Sequence, residues 1–557
     1  MKRLIYNNRQ MSNKTLKTFL KNEIILQAIL VGLISGLLVV LFKISINSVF
    51  NIITKHCFHW YIFPLITTLG GLISGYLVSK YAPEAKGSGI PYVKSSLMHL
   101  GNLTRVRSIF VKFFGGIASI GTGMPLGREG PSVQLGAGSG ALIGKLFKLS
   151  GTNKDKLISA GAGSAIAATF NAPIAGTIFV LEELMQKFSS SILFPVLIAT
   201  VTASSIARYI LGDKTSFQIP EISGTININI VICIIIGVVS GGLGVVFSKL
   251  IHKNNSLFQS LKTKPYLKTA IAGLFVGVFG LFVPQVLGSG TNSVDSLLIN
   301  AIPIALVLVI LLLKFLLTPF CFGSGAVGGI FLPMLMIGAY IGYVLGYVSN
   351  ILGFEVNIVV TSLIGMAAFL SAVARTPITA TVMVFEMTGG YNFILYIMLA
   401  CAIADLTAGK LKHKPIYSEL IVNQEKMSSD AKILDSKTVS DVMVKNTETI
   451  KQTSSLVETL DKMRNENVDF YPVVDEKNNL IGTIQKEDIE DVLINCGDKP
   501  LKIQDIMNSN IITANKDLDL YTLYFRLHSN NCNNAVVVNQ AHKVLGTVSR
   551  YDIQKVL

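Results

Sequence analysis

Three short motifs in the chain have the composition of a helix start that attracts an anion. They read Gly-Ser-Gly-Ile-Pro, Gly-Arg-Glu-Gly-Pro and Gly-Ile-Phe-Leu-Pro. Proline suits the first turn of a helix, where the N–H that it lacks would have no partner. The free N–H groups and the positive dipole end of that turn favour an anion without a full positive charge. The residues that form these starts are Gly87, Gly89, Ile90, Pro91, Gly127, Arg128, Gly130, Pro131, Gly329 and Pro333.

Taken singly, each motif is also compatible with a tight turn or with close helix packing. Three of them directed at one point predict a site that holds a partly dehydrated anion weakly. Ser88 in the first motif adds a hydroxyl donor.

Glu129 lies inside the second motif, so its carboxylate would compete with an anion for the same N–H groups. Protonation would neutralise the acid, release it from the site and admit the anion. The alternative is that Glu129 only pairs with its neighbour Arg128 at a membrane surface.

The long apolar part of the chain contains a repeat. The second and third motifs match at an offset of 202, and a later segment that ends at Glu182 matches one that ends at Glu386 at an offset of 204. Glu182 and Glu386 are therefore expected to be shared structural acids that cap or pair in both halves. Glu183 faces Met387 in the repeat, and this asymmetry indicates an added role, against the alternative of a solvated acid at a helix end. Repeats with Gly/Pro-interrupted helices are typical of secondary transporters.

The elements that position these residues must be membrane helices. The 557 residues are 50% hydrophobic, with 48 glycines and a mean hydropathy of +0.55. Apolar runs nearly free of charge, as membrane spans require, occupy 24–42, 65–78, 231–247 and 301–317. Basic residues before the first run and after the last predict that both termini are cytoplasmic, with an even number of crossings. The first 23 residues do not resemble a cleavable signal peptide.

The formal net charge of +15 does not indicate nucleic-acid binding, because the basic residues flank apolar spans and lack interleaved aromatic residues. The six cysteines show no pairing pattern and are expected to be reduced. No metal site is expected.

The composition changes after Tyr417, and the polar remainder repeats at an offset of 64. Asp441-Val-Met returns as Asp505-Ile-Met, and Gly482-Thr-Ile returns as Gly546-Thr-Val. Two α/β units of about equal size are predicted. This part resembles a tandem pair of CBS domains, a cytoplasmic module that binds adenine nucleotides in some relatives.

The membrane part resembles the CLC family of chloride channels and chloride/proton antiporters, whose signature stretches read here as the three motifs in order. The resemblance implies that Ser88 and Tyr417 offer hydroxyls to a central anion and that the N–H groups of Ile330 and Phe331 complete the site. It also implies that Glu129 is the gate and Glu183 the internal proton-transfer acid.

The resemblance further implies a homodimer in the inner cell membrane. Ser88 is typical of the chloride branch. Because both acids are present, we expect a secondary active chloride/proton antiporter and no enzyme; the alternative is a passive voltage- or proton-gated chloride channel.

The second CBS copy fits the nucleotide pattern of relatives at Gly546, Ser549 and Asp552, whereas the first has Gln485 where a hydroxyl is expected. We expect at most one nucleotide site, and a purely structural, dimer-stabilising module is the alternative. No cofactor is required for transport.

The predicted fold is an all-α polytopic membrane domain of two inverted repeats followed by the α/β CBS pair. The predicted boundaries are a cytoplasmic segment at 1–22, a transport domain at 23–421, a linker at 422–437, and CBS domains at 438–495 and 502–557.

Overall fold

The computed structural model describes all residues except 1, 57–59, 99–102, 150, 187, 214, 218, 221–229, 300–301, 426–433, 435, 446, 467, 469, 487, 491, 493–501, 510, 530–531, 540–541 and 557. At residues 2–22 it describes the backbone alone. Two compact units are present, Met1–Val422 and Asn423–Leu557. Most of the predicted linker, and Cys57 and Cys496, lie outside the described residues.

The first unit is helical. Its first half contains α1 (Lys2–His56), α2 (Phe63–Tyr81), α3 (Ile90–Leu97), α4 (Val106–Ile120), α5 (Glu129–Leu146), α6 (Gly151–Phe170), α7 (Pro173–Phe179) and α8 (Ser190–Leu211). Its second half contains α9 (Ile230–Ser260), α10 (Pro265–Phe282), α11 (Thr291–Ile299), α12 (Ile304–Ser324), α13 (Phe331–Ile351), α14 (Ile358–Ala374), α15 (Pro377–Thr388) and α16 (Ile394–Lys410), and α17 (Ile416–Glu425) follows.

The two halves repeat helix for helix in the described chain, which confirms the repeat that two matched segments predict. Each half has a short third helix, and α7 and α15 both begin at a proline of the matched segment. The halves also pack on each other, since α2 lies against α10. That the halves are inverted stays a prediction.

Glycines let equivalent helix pairs approach closely in both halves. A Cβ built on Gly161 of α6 would lie 2.0 Å from the carbonyl oxygen of Gly136 on α5. In the second half, a Cβ on Gly365 of α14 would lie 2.4 Å from the carbonyl oxygen of Gly338 on α13. Backbone contact of this kind is how helices pack without a hydrophobic driving force in lipid.

Six of the described helices are long and apolar enough to cross a membrane. They are Glu23–Lys55, Ser190–Leu211, Ile230–Ser260, Pro265–Phe282, Ile304–Ser324 and Phe331–Ile351. The apolar run predicted from residue 301 forms a helix only from Ile304. The run at 65–78 lies in the 19-residue α2, which is not among the six.

The outer surface of the helical unit suits lipid. Leu33, Leu37 and Leu41 recur every four residues on α1 and are 41%, 48% and 48% exposed, so they form one apolar stripe on the helix. A soluble domain would bury such a stripe, and a bilayer accommodates it.

The second unit contains two small sheets with helices α18 (Leu456–Glu466), α19 (Leu520–Ser529) and α20 (Arg550–Gln554). Its strands are β1 (Val444–Lys445), β2 (Ile450–Lys451), β3 (Phe470–Val474), β4 (Leu480–Gln485), β5 (Thr513–Ala514), β6 (Asn534–Val538) and β7 (Val544–Ser549). The sheets have the orders β2-β3-β4 and β1-β7-β6-β5.

The two sheets confirm the repeat at an offset of 64. The β3–β4 hairpin shifts register between Val473 and Val474, and the β6–β7 hairpin shifts between Val537 and Val538. In each copy a short strand, β2 or β5, runs parallel to the first hairpin strand. Each copy is therefore one α/β unit.

Candidate anion-binding site

The three motif loops are joined to each other by main-chain hydrogen bonds. Gly127 N–H donates to the Gly329 carbonyl at 2.7 Å, and Gly329 N–H donates back to the Gly127 carbonyl at 2.6 Å. Gly328 N–H donates to the Gly87 carbonyl at 3.1 Å. The starts of α3, α5 and α13 therefore lie side by side, as predicted.

Glycine is required at these contacts for two physical reasons. Gly87 and Gly89 have φ values of 63° and 97°, in the left-handed region that residues with a Cβ rarely adopt. A Cβ on Gly130 would lie 2.1 Å from Ser88 Oγ, so the start of α5 touches the first motif directly. Pro91 lies at the first turn of α3, where its missing N–H costs nothing.

Two buried lysines hold the loops from matched places in the repeat. Lys112 on α4 donates to the carbonyls of Ala85 and Gly87 at 2.9 and 2.7 Å. Lys314 on α12, 202 residues later, donates to the carbonyl of Gly288 at 3.0 Å. Both side chains are fully buried. In each half a buried lysine side chain thus fixes a Gly-Ser-Gly loop.

The two predicted hydroxyl ligands are buried. Ser88 and Tyr417 are both 0% exposed, and neither Ser88 Oγ nor Tyr417 Oη has a hydrogen-bond partner among the described protein atoms. A buried hydroxyl without a partner is costly, and a small anion would accept from both. Tyr417 lies in the first turn of α17.

Glu129 is the first residue of α5, and its carboxylate reaches the start of α13. Its Oε2 accepts the N–H of Leu332 at 3.3 Å, and its Oε1 has no hydrogen-bond partner among the described atoms. The side chain is fully buried. The carboxylate therefore lies where an anion held by the α13 start would lie.

The alternative pairing of Glu129 with Arg128 is not what the structure has. No salt bridge joins the two in the described part of the chain, and Arg128 Nη1 donates to Asn47 Oδ1 at 3.1 Å. Arg128 and Lys43 line a cavity of about 230 Å³. The acid is therefore available to compete with an anion.

Ile330 and Phe331 form the boundary at which α13 begins. Both are buried, and the Phe331 ring packs against Phe170 and Phe179 with centroid separations of 5.9 and 6.1 Å. The one N–H of this helix start that donates to Glu129 belongs to the next residue, Leu332.

Glu183 lies in a single π-helical turn, Val180–Leu184, directly after α7. It is 1% exposed, so the alternative of a solvated acid at a helix end is wrong. Its Oε1 accepts from Lys94 Nζ at 2.7 Å, and the same ammonium donates to Ser418 Oγ at 2.8 Å. Tyr417 precedes Ser418 in the chain.

The neighbouring acid, Glu182, confirms the structural role expected from the repeat. It accepts the N–H groups of Ile378 and Thr379, at 3.1 and 2.7 Å, at the start of α15. Its counterpart Glu386 accepts those of Ile174 and Ala175, also at 3.1 and 2.7 Å, at the start of α7. Each half therefore caps a helix of the other half.

In the second CBS copy, Ser549 and Asp552 bond to each other. Asp552 Oδ2 accepts Ser549 N–H at 3.0 Å and Ser549 Oγ–H at 2.6 Å, and Ser549 Oγ accepts Asp552 N–H at 3.1 Å. This capping box starts α20. A Cβ on Gly546 would lie 2.3 Å from the Val444 carbonyl oxygen, so this glycine also permits the β1–β7 contact.

Sequence reasoning missed Lys94, Ser418 and Leu332 at the site. A lysine seven residues after Gly87, inside a short apolar helix, was a visible signal that a buried acid would face it. The matched lysines 112 and 314 were visible as well.

A helical repeat built for lipid, with joined helix starts and buried acids at its centre, defines a polytopic membrane transport protein. The model described as voltage gated chloride channel matches residues 70–409, and CBS domains match 439–495 and 503–557. The chain belongs to the CLC family and carries two CBS domains.

Relatives and solved structures agree with that assignment. The chain is 32% identical to an H(+)/Cl(-) exchange transporter ClcA of Vibrio parahaemolyticus, over 72% of this chain and 89% of the relative, and 33% identical to that of Klebsiella pneumoniae, over 72% and 88%. It is similar to a slow cyanobacterial Cl-/H+ antiporter (30% identity, TM-score 0.69, 73% of this chain and 98% of that chain). A eukaryotic CLC transporter shares the fold over 95% of this chain and 97% of its own, with 19% identity and a TM-score of 0.66.

The reciprocal caps predict a loss of stability that is independent of transport chemistry. Glu386→Ala leaves two N–H groups of α7 without acceptors, and we expect the free energy of unfolding to fall by about 1–3 kcal/mol. Thermal unfolding in detergent measures it. The exposed Glu355 provides the control, since Glu355→Ala should leave the midpoint unchanged; equal midpoints for the two variants would contradict the capping role.

Proposed function

We propose that the chain exchanges chloride for protons across the membrane as a secondary active antiporter. One observation carries the proposal: two acids, Glu129 and Glu183, are buried in the helical unit, and the buried hydroxyls of Ser88 and Tyr417 have no hydrogen-bond partner among the described atoms. A passive anion pore needs no second buried acid, and a proton path across the membrane does.

Glu129 is proposed to gate the anion site. While ionised, its carboxylate accepts the Leu332 N–H and occupies the helix-start position. Protonation removes its charge, so the α13 start becomes available to chloride. The anion is proposed to bind to the N–H groups of Ile330 and Phe331 and to the hydroxyls of Ser88 and Tyr417. Glu129 thus either carries a proton, which leaves the site open, or is ionised and closes the site.

Glu183 is proposed to deliver protons from the cytoplasmic side to Glu129. Its burial and its pairing with Lys94 support a role beyond structure, because Glu182 already supplies the helix cap at this position. Ser88 supports chloride as the anion, as do the relatives named H(+)/Cl(-) exchange transporters. A CLC-type fluoride/proton antiporter shares the fold, with a TM-score of 0.61 and 25% identity, so the fold does not choose the halide.

The membrane arrangement is part of the proposal. The transport domain is placed at 23–421 with an N-terminal segment at 1–22, a linker at 422–437, and CBS domains at 438–495 and 502–557. Both termini are proposed to lie in the cytoplasm. The two repeats of each chain are proposed to be inverted, and two chains to form a homodimer in the inner membrane. A monomeric mass in detergent, or a periplasmic C-terminal tag, would contradict it.

Exchange is tested in sealed liposomes with an outward chloride gradient. Wild-type protein should drive protons inward against their own gradient. Glu183→Gln should abolish proton movement and retain chloride efflux, because only the proton path is interrupted. Glu355→Gln is the matched control and should retain both.

Chloride efflux from wild-type liposomes with no proton movement would instead indicate the passive channel. Comparison of chloride, nitrate and fluoride in the same assay tests the anion.

For the second unit we propose one adenine-nucleotide site, at Gly546, Ser549 and Asp552. The presence of two CBS domains supports it, and the capping box at these residues would have to exchange partners on binding. ATP should raise the unfolding midpoint of the full chain, and Asp552→Ala should abolish the shift. No shift with ATP, ADP or AMP would leave the pair a structural, dimer-stabilising module.

A further inference from the structure

Lys94 joins three parts of the transport site through one ammonium group. Its Nζ donates to Glu183 and to Ser418, and its side chain is 2% exposed. It lies in the last turn of α3, the helix whose start follows Ser88. The two ends of this eight-residue helix therefore serve the anion site and the proton-transfer acid.

The positive charge of Lys94 is balanced by a single acid, Glu183. The charged and titratable groups that interact with Glu183 in the described chain are Lys94, Glu182 and Tyr417. Glu182 is engaged by the N–H groups of α15. The only salt bridge of Lys94 within the described residues is the one to Glu183.

A buried ammonium group needs a negative partner, because an uncompensated charge costs several kcal/mol out of water. A proton on Glu183 removes that partner. The ammonium group still donates to Ser418, which follows Tyr417 in the chain. A small anion bound at Ser418 and Tyr417 would replace the lost negative charge.

We propose that Lys94 exchanges counter-charges: it pairs with the Glu183 carboxylate when that acid is ionised, and it stabilises a small halide near Tyr417 and Ser418 when the acid is protonated. Proton uptake by Glu183 and halide binding then favour each other, and linkage makes the effect reciprocal. The inference rests on the proposed exchange function and adds a second coupling point to Glu129.

Binding experiments on the purified full chain isolate this coupling from that of Glu129. In a Glu129→Gln background, chloride binding should take up protons from a weakly buffered solution. The added Lys94→Gln change should abolish that uptake, whereas Lys94→Arg should retain it. Unchanged uptake in the Lys94→Gln variant, or none in the Glu129→Gln background, would overturn the proposal.

A second variant is expected to gain chloride affinity, a result that poor folding cannot produce. Glu183→Gln in the same background leaves Lys94 without its acid, so chloride at neutral pH should bind about fivefold tighter or more. Equal or weaker binding would overturn the proposal. Transport is tested separately, and the absence of proton flux in wild-type liposomes would refute exchange. Intact exchange together with chloride binding that takes up no protons would refute only the role of Lys94.

Discussion

An anion can be held inside a membrane protein only if its charge is met by dipoles that are already in place. Here the dipoles are the starts of α3, α5 and α13, and reciprocal hydrogen bonds between Gly127 and Gly329 fix two of them together. The contact is close, since a Cβ on Gly329 would lie 3.0 Å from the Gly130 nitrogen. The remaining helices position these loops, and the buried lysines Lys112 and Lys314 hold loop carbonyls that would otherwise be unsatisfied.

The acids follow from the same constraint. A site that attracts chloride also attracts a carboxylate, and the Glu129 carboxylate accepts the Leu332 N–H at the start of α13. The repeat then assigns the other acids by their partners. Glu182 and Glu386 accept N–H groups at helix starts of the opposite half, whereas Glu183 pairs with Lys94. The matched acids are thus structural, whereas Glu183, which has Met387 as its counterpart, is the acid proposed to transfer protons.

Much of this arrangement could be predicted from the sequence because glycine and proline leave local signatures where helices begin. The three motifs, both repeats and the capping role of Glu182 were accessible in that way. The Lys94–Glu183 pair was not, because its members lie 89 residues apart and Ser418 lies 324 residues from Lys94. Such contacts depend on how the helices pack.

The Glu129 carboxylate and a halide are proposed to occupy the same position at the start of α13. Anomalous diffraction from crystals soaked in bromide tests it directly, with wild type and Glu129→Gln compared at neutral pH. A bromide peak is expected beside the Leu332 N–H in the Glu129→Gln protein and none there in the wild type. A peak at that position in the wild type, with the Glu129 carboxylate still bonded to Leu332, would contradict it.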